Sequence, residues 1–349
     1  MTLPTAPTGI AVIGCGYWGV NHLRVFDSLP DASVVVACDA RTSVLERISR
    51  TFPHLRLTTS AEDAINDPQV SAVVLATSAG THHELGRRAL LAGRHVLVEK
   101  PLTTDPGSAG DLVALAAERE LVLVVGHTFL YNAAVRKVKE YVDRDQVYCL
   151  YARRTNLGPI RSDVNAVWDL APHDVSIFNY LLDSEPDWVS AVGARVLATD
   201  REDVAFISLG YPGGVIGQIH VSWADPHKVR EVVVVSAERR VVFNDMDAVE
   251  PVRVYHKGVK TAPAGGALQP GELPLVLRDG EITSPALRLS EPLRYECGHF
   301  LHCLRRGEAP FTGGRQGLAV VKVLAAIDRS MALGGTPCGV HSYDEVAVG

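Results

Sequence analysis

The residues of this chain best placed to do chemistry are a lysine, an aspartate and a histidine. Lys100 lies in Glu99-Lys100-Pro101, directly after the apolar run that starts at His95. The proline removes a backbone donor and biases Lys100 away from helical conformation, so its side chain leaves the run in a defined direction. A surface lysine is usually just solvated, whereas a partly desolvated one has a lowered pKa and can shuttle the proton of an alcohol. Further on, Trp168-Asp169-Leu170-Ala171-Pro172-His173 sets a carboxylate and an imidazole four residues apart. On a helix the two share a face. Pro172 is awkward in a helix interior, so a helix that begins near Pro172, with Asp169 as an entry residue, is the alternative.

The third feature is Gly14-Cys15-Gly16-Tyr17-Trp18-Gly19. Such a glycine pattern is weak evidence alone. Here Ile10 to Ile13 supplies a strand before it and Val20 to Leu29 a helical stretch after it, the context its mechanism requires. Gly14, Gly16 and Gly19 then allow a tight turn, close approach of backbone to phosphate, and close packing of helix on strand. The amides around Tyr17 and Trp18 open the helix and face a pyrophosphate. Asp39, twenty residues beyond Gly19, ends the second strand, where a carboxylate accepts the ribose hydroxyls and repels a 2′-phosphate. That favours NAD; Arg41 nearby keeps NADP open. Thr77, Ser78 and His82 follow another core strand and are candidates for the nicotinamide ribose, with helix capping as the competing use. Glu99 and Lys100 complete the cofactor edge.

These groups need a scaffold. Continuous Val/Leu/Ile/Ala-rich runs at 10–13, 33–38, 72–76, 95–98 and 121–125 predict parallel strands buried on both faces. Helical patterns near 17–29, 43–52, 61–66, 82–92 and 106–119 alternate with them. The fold class is therefore α/β, with a doubly wound Rossmann sheet over residues 1–126. After Gly126 the pattern changes. A helix near 131–144 leads to strands around 147–154, 188–197, 203–209, 215–223, 230–236 and 239–243, which predict an α+β domain on a mostly antiparallel open sheet over 127–349. Residues 261–284 read as a surface excursion, followed by helices near 290–306 and 314–333.

Composition narrows the classes. At 349 residues the chain exceeds one ordinary core, so two domains are expected. A net charge of -6 argues against a nucleic-acid partner, whose phosphates need clustered Lys and Arg. No apolar run reaches the roughly 18 residues of a membrane span, and Met1 to Gly9 lacks the regions of a secretory signal, so no membrane association and a cytoplasmic location are expected. The six cysteines are scattered without disulfide or zinc spacing and read as reduced thiols. Cys297-Gly298-His299 and His302-Cys303 invite a zinc reading, but Cys297 and His299 differ by about 200° around a helix. A buried face with polar neighbours is the expectation, and no metal.

The glycine turn, the Glu-Lys-Pro motif and the Asp-x-x-x-His spacing, in that order, resemble the glucose-fructose oxidoreductase/inositol dehydrogenase (Gfo/Idh/MocA) family. The resemblance covers nearly the whole chain. It implies that Lys100, Asp169 and His173 surround a reacting carbinol, that the Lys100-Pro101 bond is cis, and that the open sheet packs on another subunit in a homodimer or homotetramer. Two further stretches, Gly126 to Asn132 and Arg154 to Gly158, look like the branch of nucleotide-linked amino-sugar and uronic-acid dehydrogenases. Tyr131, Arg154, Asn156, Arg161, Asn165 and Trp168 therefore join Lys100, Asp169 and His173 as candidate substrate contacts, with Arg153 beside them. No separate signature for the nucleotide is present.

The expected function is NAD(P)-dependent hydride transfer between nicotinamide and a secondary alcohol or ketone of a sugar-like ring. His173 would act as base, Lys100 would stabilise the oxygen, and Asp169 would orient, with the first two exchangeable. The alternatives are a cyclitol dehydrogenase, a glycoside hydrolase that oxidises transiently with held NAD, and a non-catalytic NAD-sensing regulator.

Overall fold

The computed structural model describes residues 6–197, 199–261 and 275–341. The chain forms two compact units, Met1–Tyr131 with Glu291–Ala325 and Asn132–Ser290 with Ala326–Gly349.

In the first unit strands and helices alternate: β1 (Thr8–Ile13), α1 (Tyr17–Asp27), β2 (Ala32–Cys38), α2 (Thr42–Thr51), β3 (Arg56–Thr58), α3 (Ala61–Ile65), β4 (Ala72–Leu75), α4 (His82–Leu91), β5 (His95–Glu99), α5 (Pro106–Glu118) and β6 (Leu123–Gly126). The strands pair in parallel in the order β3-β2-β1-β4-β5-β6. Five of them lie on the apolar runs, because strands covered on both faces need continuous Val, Ile and Leu. The sixth, β3, has three residues and none fully buried, too few to leave a pattern. The order reverses between β1 and β4, and ligands of open α/β sheets bind outside the carboxyl ends at that reversal.

The second unit begins with α6 (Ala133–Val142), β7 (Val147–Leu157), α7 (Ala166–Leu182), β8 (Trp188–Ala194), β9 (Val204–Gly210), β10 (Ile216–Ser222), β11 (Ala224–Ser236), β12 (Arg240–Asn244) and β13 (Val252–Tyr255). It continues through β14 (Gly258–Thr261), β15 (Leu275–Arg278) and β16 (Ile282–Thr283). Its large sheet runs β16-β13-β12-β11-β7-β10-β9-β8-β17, where β17 is Cys338–Gly339. The pairing is antiparallel except between β7 and β10. Helix α7 covers one face: a Cβ on Gly217 of β10 would meet Phe178 of the helix at 3.0 Å. The expected surface excursion at 261–284 is bracketed by structure, since β14 and β15 form a two-stranded ladder; residues 262–274 lie outside the described residues.

Two late helices follow, α8 (Pro292–Arg306) and α9 (Gly314–Ala332). The former belongs to the first unit because Leu293, Cys297, Phe300 and Leu301 enter the core that holds Leu23 and Phe26 of α1. Cys297, Phe300 and Cys303 are all fully buried, as an apolar stripe requires.

Candidate functional site

The glycine turn after β1 divides its work among three positions. Gly14 has a left-handed φ of 89°, and a Cβ there would stand 2.6 Å from the Ala76 carbonyl oxygen, so the turn is pressed against the end of β4. Gly19 touches the turn itself, with its missing Cβ 1.8 Å from the Gly14 oxygen, which lets α1 close onto the strand. Among the described residues nothing stands within 4 Å of a Cβ on Gly16, the open position of the three. Gly16 is also the N-cap of α1, with no side-chain cap and no acid in the first turn. An uncapped helix start beside an open glycine is a cradle for a phosphate. The residues fit a dinucleotide.

Around that cradle the sheet gathers the other candidates. Tyr17 and Trp18 are exposed and meet edge to face at 5.5 Å. Asp39, at the end of β2, is only 6% exposed; it accepts the Cys15 amide at 3.0 Å and pairs with Arg41 at 3.1 Å. Burial pushes its carboxyl up, but the bonds from Arg41 and from the Cys15 amide outweigh this and hold it below the usual range. Thr77 follows β4, and its hydroxyl accepts that of Thr81 at 2.8 Å. Ser78 is exposed and makes no side-chain capping bond. Lys100 follows β5 at the same sheet edge, half-buried, and its bond to Pro101 is cis.

Three expected ligand contacts have other duties. His82 is buried, with ring nitrogens 2.9 Å from the Pro101 carbonyl and 3.3 Å from that of Thr77, and so ties the β4 and β5 ends together rather than facing a ribose. The Glu99 side chain turns inward to His22 at 2.8 Å. Tyr131 is 3% exposed, with its hydroxyl on Thr312. A buried polar group needs an internal partner, and each has found one.

In the second unit α7 runs unbroken from Ala166 to Leu182 with Pro172 inside it. The helix therefore does not begin at Pro172. Asn165 is its N-cap and accepts the Trp168 amide at 3.0 Å, which fixes the start three residues before Asp169. Asp169 and His173 consequently lie one turn apart on the same side. The Asp169 carboxylate accepts the Trp223 indole N–H at 3.1 Å and lies 3.6 Å from Arg161, itself forked onto Asp163. Trp168 is 6% exposed, and its indole donates to Asp328, which also accepts from Asn165. Asn156 donates to the Gly158 carbonyl.

Arg154 requires a correction. It was expected to bind an anionic or hydroxylated substrate, but it is 3% exposed and donates twice to Asp174 at 3.0 and 2.8 Å. Strand alternation decides this: Arg154 faces α7, while Arg153 emerges on the open face of the sheet.

A model described as the oxidoreductase family with an NAD-binding Rossmann fold matches residues 8–127, and one for the GFO/IDH/MocA C-terminal domain matches residues 151–242. The chain belongs to the GFO/IDH/MocA oxidoreductase family. Members similar to it include the UDP-N-acetylglucosamine 3-dehydrogenase of Acidithiobacillus ferrooxidans, 27% identical over 77% of this chain and 83% of that one. The inositol 2-dehydrogenase of Rhodococcus erythropolis is 30% identical over 75% of this chain and 77% of that one. Among solved structures, GenD2 from gentamicin A biosynthesis, in complex with NAD, superposes with a TM-score of 0.81, 26% identity and 97% coverage of each chain. This GFO/IDH/MocA chain is thus an NAD-binding oxidoreductase.

Sequence reasoning missed part of the family member's polar interior. Trp223, whose position in the sequence fits a substrate-phosphate contact, a subunit contact or a strand edge alike, is fully buried and donates its indole N–H to Asp169. His22, His127 and Glu296, all buried, were not singled out either. A histidine or glutamate on an otherwise apolar face was the available signal.

Proposed function

We propose that this protein is an NAD-dependent dehydrogenase acting on a secondary alcohol of a sugar-like ring, free or nucleotide-linked. The observation that carries the reading is the glycine turn, tight at Gly14 and Gly19 and open at Gly16 beside an uncapped helix start. Gly16, Tyr17, Trp18 and Gly19 would hold the pyrophosphate, Asp39 the adenosine ribose, and Thr77 and Ser78 the nicotinamide side. When bound, the nicotinamide supplies the hydride acceptor. The chain's own part is proton handling. His173 takes the hydroxyl proton, Lys100 hydrogen-bonds the same oxygen as charge develops on it, and Asp169, fixed by Trp223, orients.

Two relatives support the substrate class, because an amino-sugar 3-dehydrogenase and an inositol 2-dehydrogenase both bear names of ring-alcohol oxidations. Arg161 and Asn156 are the side chains we assign to substrate hydroxyls or an anionic group. Asp39 at the end of β2 supports NAD over NADP. Purified protein with NAD and a panel of sugars, cyclitols and UDP-sugars is expected to raise absorbance at the reduced-nicotinamide band. Product release without net NAD reduction would point instead to the hydrolase that oxidises transiently, and NAD binding without turnover to a sensor.

We further assign the uncovered face of the large sheet to a second copy of this chain. Tyr151, Val192, Phe206 and Ile216 are exposed there, and the Phe206 ring stacks on His220 at 4.3 Å. Apolar side chains in such number on one face call for a cover. Sedimentation of Phe206→Glu as a monomer, against a dimer or tetramer of the native chain, tests this. Among the described residues no helix is long and apolar enough to cross a membrane, and all six cysteines are free thiols, which supports a cytoplasmic setting.

A further inference from the structure

Just before α7 in the second unit, two side chains two residues apart bear on the kind of ring that can lie beside Asp169. The Arg161 guanidinium donates from Nε and Nη2 to the two oxygens of Asp163, at 2.9 and 2.7 Å. Its remaining nitrogen, Nη1, lies 3.6 Å from Asp169. Every nitrogen of the fork therefore already faces a carboxylate. Side-chain exposures of 35% for Arg161 and 30% for Asp163 leave both within reach of a ligand. The hydrogen bonds from Arg161 hold the Asp163 carboxyl below the usual carboxylate range, so it is ionised at neutral pH.

The segment that carries this clamp is fastened along its length. The Gly158 amide donates to the Trp223 carbonyl at 3.2 Å, and Arg201 donates to the Ser162 carbonyl. At the far end the Asn165 cap accepts the Trp168 amide, and the Ala166 amide donates to the Glu202 carbonyl at 2.9 Å. The arginines around it are engaged as well: Arg154 with Asp174, Arg195 with Glu202, and Arg201 with Asp200 at 3.7 Å. A ring carboxylate entering here would have to replace Asp163 on the same guanidinium. Exchanging one carboxylate for another gains nothing, and the displaced one, tethered two residues away, stays close and repels the newcomer. A hydroxyl meets no such conflict. Each Asp163 oxygen keeps a lone pair beyond the one given to Arg161, and a hydroxyl or an ammonium group can donate to it.

We propose that Asp163 is a specificity-determining residue: by occupying Arg161 it suits the site to rings bearing hydroxyl or amino groups and closes it to rings bearing a carboxylate. Of the two uses assigned to Arg161 above, hydroxyls or an anionic group, the clamp leaves the first. The consequence for substrate choice rests on the ring lying beside Asp169, as proposed above; the clamp itself does not.

Phenylglyoxal modification of the full chain, with the Arg161 peptide read by mass spectrometry, tests the clamp without turnover. In the native protein Arg161 is expected to react slowly, and at the same rate with or without glucuronate. In Asp163→Asn it should react at least about tenfold faster, and glucuronate but not glucose should slow it. Native reaction as fast as that of Asp163→Asn, or protection of the native arginine by glucuronate, would overturn the proposal. Turnover with NAD gives a second reading, the ratio of kcat/KM for glucose over glucuronate or for their UDP-linked forms. The native ratio is expected to be at least about tenfold and to drop about tenfold in Asp163→Asn. A native preference for the uronate, or a ratio unmoved by the substitution, would equally overturn it. Should Asp163→Asn not fold, Asp163→Ala, which removes the acceptor outright, carries both readings with the same expectations. The expected labelling in a chain that oxidises no ring would sink the dehydrogenase reading and leave the clamp standing.

Discussion

Asp39 accepts the backbone amide of Cys15 at 3.0 Å, so the residue expected to choose the cofactor also staples the glycine turn to the end of β2. Its other oxygen carries Arg41, whose side chain is 67% exposed. Selection and scaffolding are therefore joined in one carboxylate. In Asp39→Ser the repulsion of a 2′-phosphate is lost and Arg41 is released. The KM for NAD is expected to rise about tenfold, some 1.4 kcal/mol, while that for NADP falls. Steady-state kinetics with both cofactors check this, and an unchanged preference would leave Asp39 as a staple only.

The three glycines should separate folding from binding. Gly14→Ala puts a side chain on a left-handed backbone and against Ala76, so a loss of about 1–3 kcal/mol of stability is expected by denaturant titration. Gly16→Ala meets no atom of the described residues within 4 Å and should fold as the native chain does. Its NAD affinity, read by calorimetry, should nevertheless fall at least tenfold. Native affinity in Gly16→Ala would remove the cradle from the open position.

Lys100→Met and His173→Ala are each expected to lower kcat by about 10²–10⁴ with NAD affinity nearly intact. Trp223→Phe keeps the buried volume but deletes the donor to Asp169. A milder loss, about tenfold in kcat with little change in melting temperature, should follow. Equal activity of Trp223→Phe and the native enzyme would show that Asp169 needs no fixing.

Arg154 and Asp174 form a buried pair, with side chains 4% and 1% exposed. Removing one partner strands the other charge in the interior, so Arg154→Met should cost about 3–5 kcal/mol of stability. The double variant Arg154→Met with Asp174→Leu should recover most of it. A raised KM with unchanged stability would instead return Arg154 to the substrate.

Stability against pH carries the mark of the buried acid and imidazole. His127 has a folded pKa near 4 against an ordinary 6.5, so its contribution is complete above 6.5 and is lost as pH falls towards 4. Glu296 is raised above an ordinary 4.5, so its contribution is present at low pH and lost as pH rises beyond 4.5. Between these values the two slopes, each at most about 1.4 kcal/mol per pH unit, oppose one another. In that window His127→Asn should lose stability as pH rises and Glu296→Gln should gain it. Urea titrations across the window read both slopes, and parallel curves for the two variants would contradict them.

The sequence by itself determined what is local. Burial of both strand faces writes a continuous apolar run, and a helix start after a strand writes its glycines; both are readable along the chain, whereas Asn165, read as a substrate contact, is the cap of α7. The helical spacing of Asp169 and His173 was legible for the same reason, although Pro172 argued against it. Only the tertiary structure decided what depends on partners distant in sequence. Arg154 looked like an anion site until Asp174 met it across the sheet face, and Glu99 looked like a cofactor residue until His22, 77 positions earlier, turned it inward. It also brought α8 back to the first core and buried Glu296 on it. A charged side chain has no periodicity of its own; whether it meets solvent, a ligand or a buried partner is settled by packing, where an unpaired polar group is costly and a paired one is not.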